Sequence, residues 1–182
     1  MHNVIPTRAI LGWIIGAVVS VVLLLGILWW VNRPIICRAK ESEFYRFIDQ
    51  MVRLDVSSSC MYIREPETRR HLAFTVYRSR AGYATLNLKL LRAMWPVEVA
   101  DNMLALCYDM DLGDRVDLPQ TNRSEKLLSV KIPKGSPARA VELARGAFAS
   151  VGCSSDTTYE VWFEGQVDPE LMKKLLSGGG AV

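Results

Sequence analysis

Acid–base or nucleophilic chemistry in this chain has few residue types to draw on. His71 is the only histidine after the apolar N-terminal block, so a nucleophile needing an imidazole base would need this one within hydrogen-bond reach. Arg69 and Arg70 precede it, and their charge disfavours protonation of the ring, which reads as an edge or surface histidine. Cys60 lies one predicted strand earlier, so a Cys60–His71 pair across adjacent strands is the one thiol-enzyme arrangement the spacing allows.

The four cysteines, Cys37, Cys60, Cys107 and Cys153, are widely spaced, with no Cys-x-x-Cys pair. Neither a zinc site nor a dithiol redox motif is written. Cys60 and Cys153 would become disulfide candidates in an exported domain, whereas a cytoplasmic domain would keep all four reduced. The run from Asp109 through Asp111 and Asp114 to Asp117 is the nearest approach to a metal motif. An EF-hand loop starting at Asp109 would need glycine at position 114 and glutamate at 120, where this chain has Asp114 and Gln120. No glycine-rich phosphate loop or dinucleotide fingerprint is present. The expectation is therefore no catalytic residue, cofactor or metal, with a non-enzyme favoured over a small thiol-dependent enzyme.

The net charge of +3 is too small to imply nucleic acid. Its distribution is more informative. Residues 60 to 95 carry Arg64, Arg69, Arg70, Arg78, Arg80, Lys89 and Arg92, and residues 96 to 125 are mainly acidic. Arg69, Arg70, Arg78 and Arg80 are the candidate docking surface, facing anionic lipid or an acidic partner. The competing reading is a set of solvated faces that neutralise each other.

The elements that must position these groups begin with residues 9 to 31, which contain no charge. A helix of that length covers about 35 Å, enough for a hydrocarbon core, so the sequence predicts one transmembrane helix after a short flank at 1–8. Its end in Leu28-Trp29-Trp30 is unlike a cleavage site. Trp13, Trp29, Trp30, Arg33, Arg38 and Lys40 read as interface anchors. Ala9, Gly12, Gly16 and Ser20 form a small-residue stripe suited to a second helix from a membrane protein or another copy. The basic segment 32–40 favours a cytoplasmic domain by the positive-inside rule, with export as the alternative.

Residues 41–176 read as one α+β domain. The pattern predicts a helix over 39–54, strands at Cys60 to Arg64, His71 to Tyr77 and Tyr83 to Leu91, and a helix from Pro96 to Tyr108 burying Ala100, Met103, Leu104 and Cys107. A strand at Leu127 to Ile132 follows an irregular stretch. Ser136-Pro137 opens a helix with Val141, Ala144 and Phe148 inward, ending at Gly152, and Thr158 to Phe163 is the next strand. A short helix after Asp168-Pro169 precedes a disordered tail at 177–182. The order α-β-β-β-α-β-α-β-α predicts a mainly antiparallel sheet of about five strands packed by helices. The functional expectation is a single-pass, membrane-anchored interaction module, an accessory subunit in contact with lipid and a membrane protein. The alternatives are a tethered small-ligand or sensory domain and a small thiol-dependent enzyme.

Overall fold

The computed structural model describes residues 7–31, 36–53, 60–79, 82, 84–119, 125–133 and 135–164. The chain divides into two compact units, Met1–Pro34 and Ile35–Val182.

The first unit contains the helix α1 (Thr7–Val31). Along it Ser20 Oγ donates to the Gly16 carbonyl at 2.9 Å, and the large apolar side chains described between Trp13 and Ile27 are exposed. Among the described residues, no helix is long and apolar enough to cross a membrane. This corrects the expected transmembrane helix, the single-pass fold class and the membrane localisation, and the choice between a cytoplasmic and an exported domain falls with them. The side chains of Ala9, Gly12, Trp29 and Trp30, and all of Arg33, lie outside the described residues.

The second unit is an α+β structure with a seven-stranded antiparallel sheet where about five strands were expected. Its strands are β1 (Cys37–Lys40), β2 (Cys60–Arg64), β3 (His71–Arg78), β4 (Ala84–Leu91), β5 (Val116–Asp117), β6 (Lys126–Pro133) and β7 (Thr158–Glu164), in spatial order β1-β7-β2-β3-β4-β6-β5. The two unforeseen strands are the two edges. β1 has one buried residue, Ala39, so period-2 alternation has nothing to show, and β5 is only two residues long. The helix expected over 39–54 is accordingly shorter. A 3-10 turn at Glu41–Glu43 leads into α2 (Phe44–Arg53), and Glu43 Oε2 turns back to accept from the Lys40 amide at 2.8 Å.

The helices α2, α3 (Glu98–Asp109) and α4 (Pro137–Ala149) form one layer, with α4 touching both others. They share a core with one sheet face, on which Met61, Ile63, Leu72, Phe74, Val76, Leu86, Leu88, Leu90, Val130 and Ile132 are buried. α2 supplies Phe44, Phe47, Ile48 and Met51, the spacing of a single helix face. Phe44, Phe148 and Tyr159 meet as a ring cluster, with Tyr159 centroids 4.9 Å from Phe44 and 4.6 Å from Phe148. Trp95 joins it 5.5 Å from Phe148, and its indole N–H donates to the His71 carbonyl at 2.8 Å, which ties the approach to α3 to the start of β3. In α3 the buried residues are Val99, Ala100, Met103 and Cys107, whereas Leu104 is half-buried. The short helix expected after Asp168 and the tail lie outside the described residues.

Gly135, in the turn from β6 to α4, has φ 55°, and a Cβ there would lie 2.9 Å from Val52 Cγ1 and 3.3 Å from Ala84 Cβ. Gly82 has φ 80° with nothing within 4 Å. Replacing Gly135 by alanine therefore adds overpacking to a left-handed backbone cost of about 1–2 kcal/mol, whereas Gly82→Ala carries the backbone cost alone. Chemical denaturation of the two variants should show the larger loss at position 135.

Candidate functional site

The sheet face opposite the helices is built by the polar phase of the same strands. Antiparallel register sets its side chains in rows, because directly opposed residues point to the same face. One row runs Glu160, Arg64, His71 over β7, β2 and β3. The next runs Trp162, Tyr62, Ala73, Lys89, Ser129, Asp117 from β7 to β5. A third runs Glu164, Cys60, Thr75, Asn87, Lys131.

The rings of the first two rows pack into one cluster. Tyr62 stacks on Trp162 at 4.9 Å with an interplanar angle of 10°. His71 meets both edge-on, 5.4 Å from Tyr62 and 5.9 Å from Trp162. The Arg64 guanidinium lies 5.0 Å from the Trp162 centroid, within cation–π range, while its Nε donates to Glu160 Oε2 at 2.8 Å and its Nη2 reaches the same oxygen. Trp162 Nε1 donates to Glu164 Oε1 at 3.3 Å. Burial, with the Arg64 charge, pushes the His71 pKa below its ordinary value. Burial raises the Tyr62 phenol, with Cys60 and Glu164 adding to the effect. Tyr77 closes the far end of the face, where Thr75, Lys89 and Asn87 approach its phenol; the Thr75 hydroxyl is the largest influence lowering its pKa. Asn87 Oδ1 is buried and accepts no hydrogen bond from the described residues.

This arrangement removes the thiol–imidazole pair. Cys60 is opposite Thr75 and His71 is opposite Arg64, so the two stand four residues apart along paired strands, about 13 Å at strand rise. All four cysteines are free, and burial raises the pKa of each, Cys107 to about 11. None has the lowered pKa of a reactive thiolate.

The four arginines chosen as a docking surface are not one patch. Arg69, at φ 61°, and Arg70 precede β3, and Arg78 ends it, so Arg70 and Arg78 are about 27 Å apart at strand rise; Arg80 lies outside the described residues. Arg78 is used internally, its Nη2 donating to the Val52 carbonyl at 2.6 Å and approaching the Arg53 carbonyl at 3.5 Å, so it caps the end of α2. Arg38 and Lys40 are exposed on the edge strand β1, where Lys40 Nζ donates to the Asp156 carbonyl. In the acidic stretch Asp114 approaches Arg115 at 3.4 Å and Asp117 approaches Lys126 at 3.9 Å. Among the described residues, no three His, Cys, Asp or Glu side chains gather to hold a metal.

A second feature is the turn joining β2 to β3. Glu65 is buried and accepts from the Glu67 amide at 2.8 Å, the Thr68 amide at 2.6 Å and the Thr68 hydroxyl. Burial alone would raise its pKa, but these hydrogen bonds and the Arg70 charge hold the carboxyl below its ordinary value. The turn forms one wall of a cleft of about 450 Å³ whose other wall includes Gly152, Cys153 and Thr157.

No protein-family model, curated protein or solved structure matches the chain.

The turn at Glu65-Pro66-Glu67-Thr68 follows from its residue types, but neither the ring cluster nor the burial and hydrogen bonding of Glu65 was anticipated from sequence. The available signal was phase: Tyr62 and Trp162 fall on the polar side of strands whose other positions are core. Removing the Glu65 acceptor orphans several donors, so Glu65→Ala should cost about 2 kcal/mol, read by urea unfolding at neutral pH. His71 gives the acid-side dependence. Its folded pKa lies below the ordinary 6.5, so the unfolded chain binds more protons, and stability present above pH 6.5 is lost as pH falls through the folded value. The thermal midpoint should drop over that window, and His71→Gln should flatten this part of the profile.

Proposed function

We propose that this chain is an interaction and assembly module, an accessory subunit that docks on a partner protein. The observation that carries the reading is α1. Its large apolar side chains are exposed, among them Ile15 at 56 %, Leu23 at 61 % and Ile27 at 56 %. A helix that is hydrophobic all round is a buried helix wherever it is stable. The α+β unit closes its own core between the sheet and α2 to α4, and the apolar side chains of α1 are the surface offered to a partner. Gly16 and Ser20 lie one turn apart on it, with nothing within 4 Å of a Cβ built at Gly16, which leaves room for a second helix to approach closely.

A small-ligand domain is the second reading, supported by the open cleft beside Glu65, Arg70 and Cys153. A ligand seated there would raise the thermal midpoint of the chain.

Affinity isolation of the intact chain under mild conditions, followed by native mass measurement, tests the first reading. The expected result is one stoichiometric protein partner, lost in Gly16→Ile while the melting of the α+β unit is unchanged. A bare chain, or a partner retained equally by the variant, overturns it.

A further inference from the structure

The cleft beside the β2–β3 turn holds charge and hydrogen-bonding capacity that the fold itself does not use. It sets Glu65, Glu67 and Arg70 of the turn against Val151, Cys153 and Thr157 beyond the end of α4. Its volume, about 450 Å³, is that of a small-molecule site. Three charges converge there: Glu65 and Glu67 raise the pKa of the Cys153 thiol, which burial raises most, and Arg70 lowers it. Glu65 is committed to the turn by its Glu67 and Thr68 donors, and the Arg70 charge helps to keep it ionised. The exposed Glu67 carboxylate, by contrast, has no hydrogen bond or ion pair among the described residues. α4 adds to this negative charge, because Val151 to Cys153 follow directly on its C-terminus, the end of a helix that favours cations. Behind the wall lies Tyr159, fully buried. Cys153 and Thr157 approach its hydroxyl, yet neither stands in hydrogen-bonding geometry with it. A buried phenol normally finds a partner, so a polar group stays unused directly beneath the cleft.

We propose that this cleft binds a small organic cation, an ammonium or guanidinium group on a short aliphatic body, held by Glu67 and the C-terminal end of α4. The proposal rests on the small-ligand reading above and adds the charge of the ligand. An ammonium brings donors and no acceptor, which suits a wall whose unused groups are a carboxylate, a helix C-terminus and a phenol oxygen. An anion would gain Arg70 but would face Glu67 and the helix end, like charges that select against it. A bare metal ion is a poorer fit, because among the described residues no three His, Cys, Asp or Glu side chains gather to ligate one. An organic cation needs only one carboxylate and hydrogen bonds, and Pro66 and Val151 supply apolar surface for its body.

The test uses the full chain and the half-buried Cys153 as its reporter. Alkylation by iodoacetamide at mildly alkaline pH, read residue by residue by mass analysis, is compared with putrescine, butanediol or succinate present at equal ionic strength. These probes share a chain length and differ in charge. Cys60, half-buried and outside the cleft, is the reference for reagent, and Cys107, buried in the core, reports that the fold is intact. Putrescine should slow Cys153 alkylation severalfold and leave Cys60 unchanged, whereas butanediol and succinate should not. Glu67→Gln should abolish the protection while Cys107 stays unmodified. Protection that survives Glu67→Gln overturns the proposal. Protection by succinate or butanediol in place of putrescine also overturns it, yet keeps the small-ligand reading. Protection by none of the three overturns it as well, and the small-ligand reading falls with it only if a library of neutral and anionic metabolites also leaves the thermal midpoint of the chain unmoved.

Discussion

The sheet depends on β7 lying between β1 and β2. Without it, among the described residues, β1 has no strand partner and β2 keeps only β3. The same strand serves both faces. Tyr159, Val161 and Phe163 enter the core, while Glu160, Trp162 and Glu164 organise the opposite side. A one-residue slip in this strand would exchange the two sets. Core packing and the aromatic platform are therefore consequences of one register.

Charge is used largely as internal structure. Arg78 closes the end of α2, Glu65 closes the β2–β3 turn, and Glu41 reaches Arg145 on α4 at 2.8 Å. Arg64 is paired with Glu160 across β2 and β7. Sequence shows a basic stretch followed by an acidic one, but the fold disperses them: β3 carries its arginines to opposite ends of the sheet, and Asp117 meets Lys126 at the β5 edge. Composition along the chain is a poor guide to surface potential when antiparallel strands reverse direction every few residues.

What was legible in the sequence follows the same physics. β3 and β4 alternate over eight residues each, long enough for period to decide, and α4 has proline in its first turn and Gly152 at φ 83° just beyond its end. β1 and β5 were illegible because two to four residues hold no period. The ring cluster was illegible for a different reason: Tyr62 and Trp162 are brought together by a pairing between segments about a hundred residues apart, which no local pattern encodes. The long apolar block at the N-terminus invited a transmembrane reading, whereas among the described residues no helix meets the length and apolarity that a crossing requires.

The position of β7 also bears on how the chain is made. Synthesis proceeds from the N-terminus, and β2, β3 and β4 emerge close together, so their meander can pair as soon as it clears the ribosome. β1 emerges before them, yet waits for a strand that appears more than a hundred residues later. During that interval the outer edge of β2 stands unpaired, with the tyrosine that will stack on Trp162 beside it, and an open strand edge is a template for another nascent chain. The vulnerable moment in the life of this protein is thus its own translation, and the arrival of a single late strand ends it.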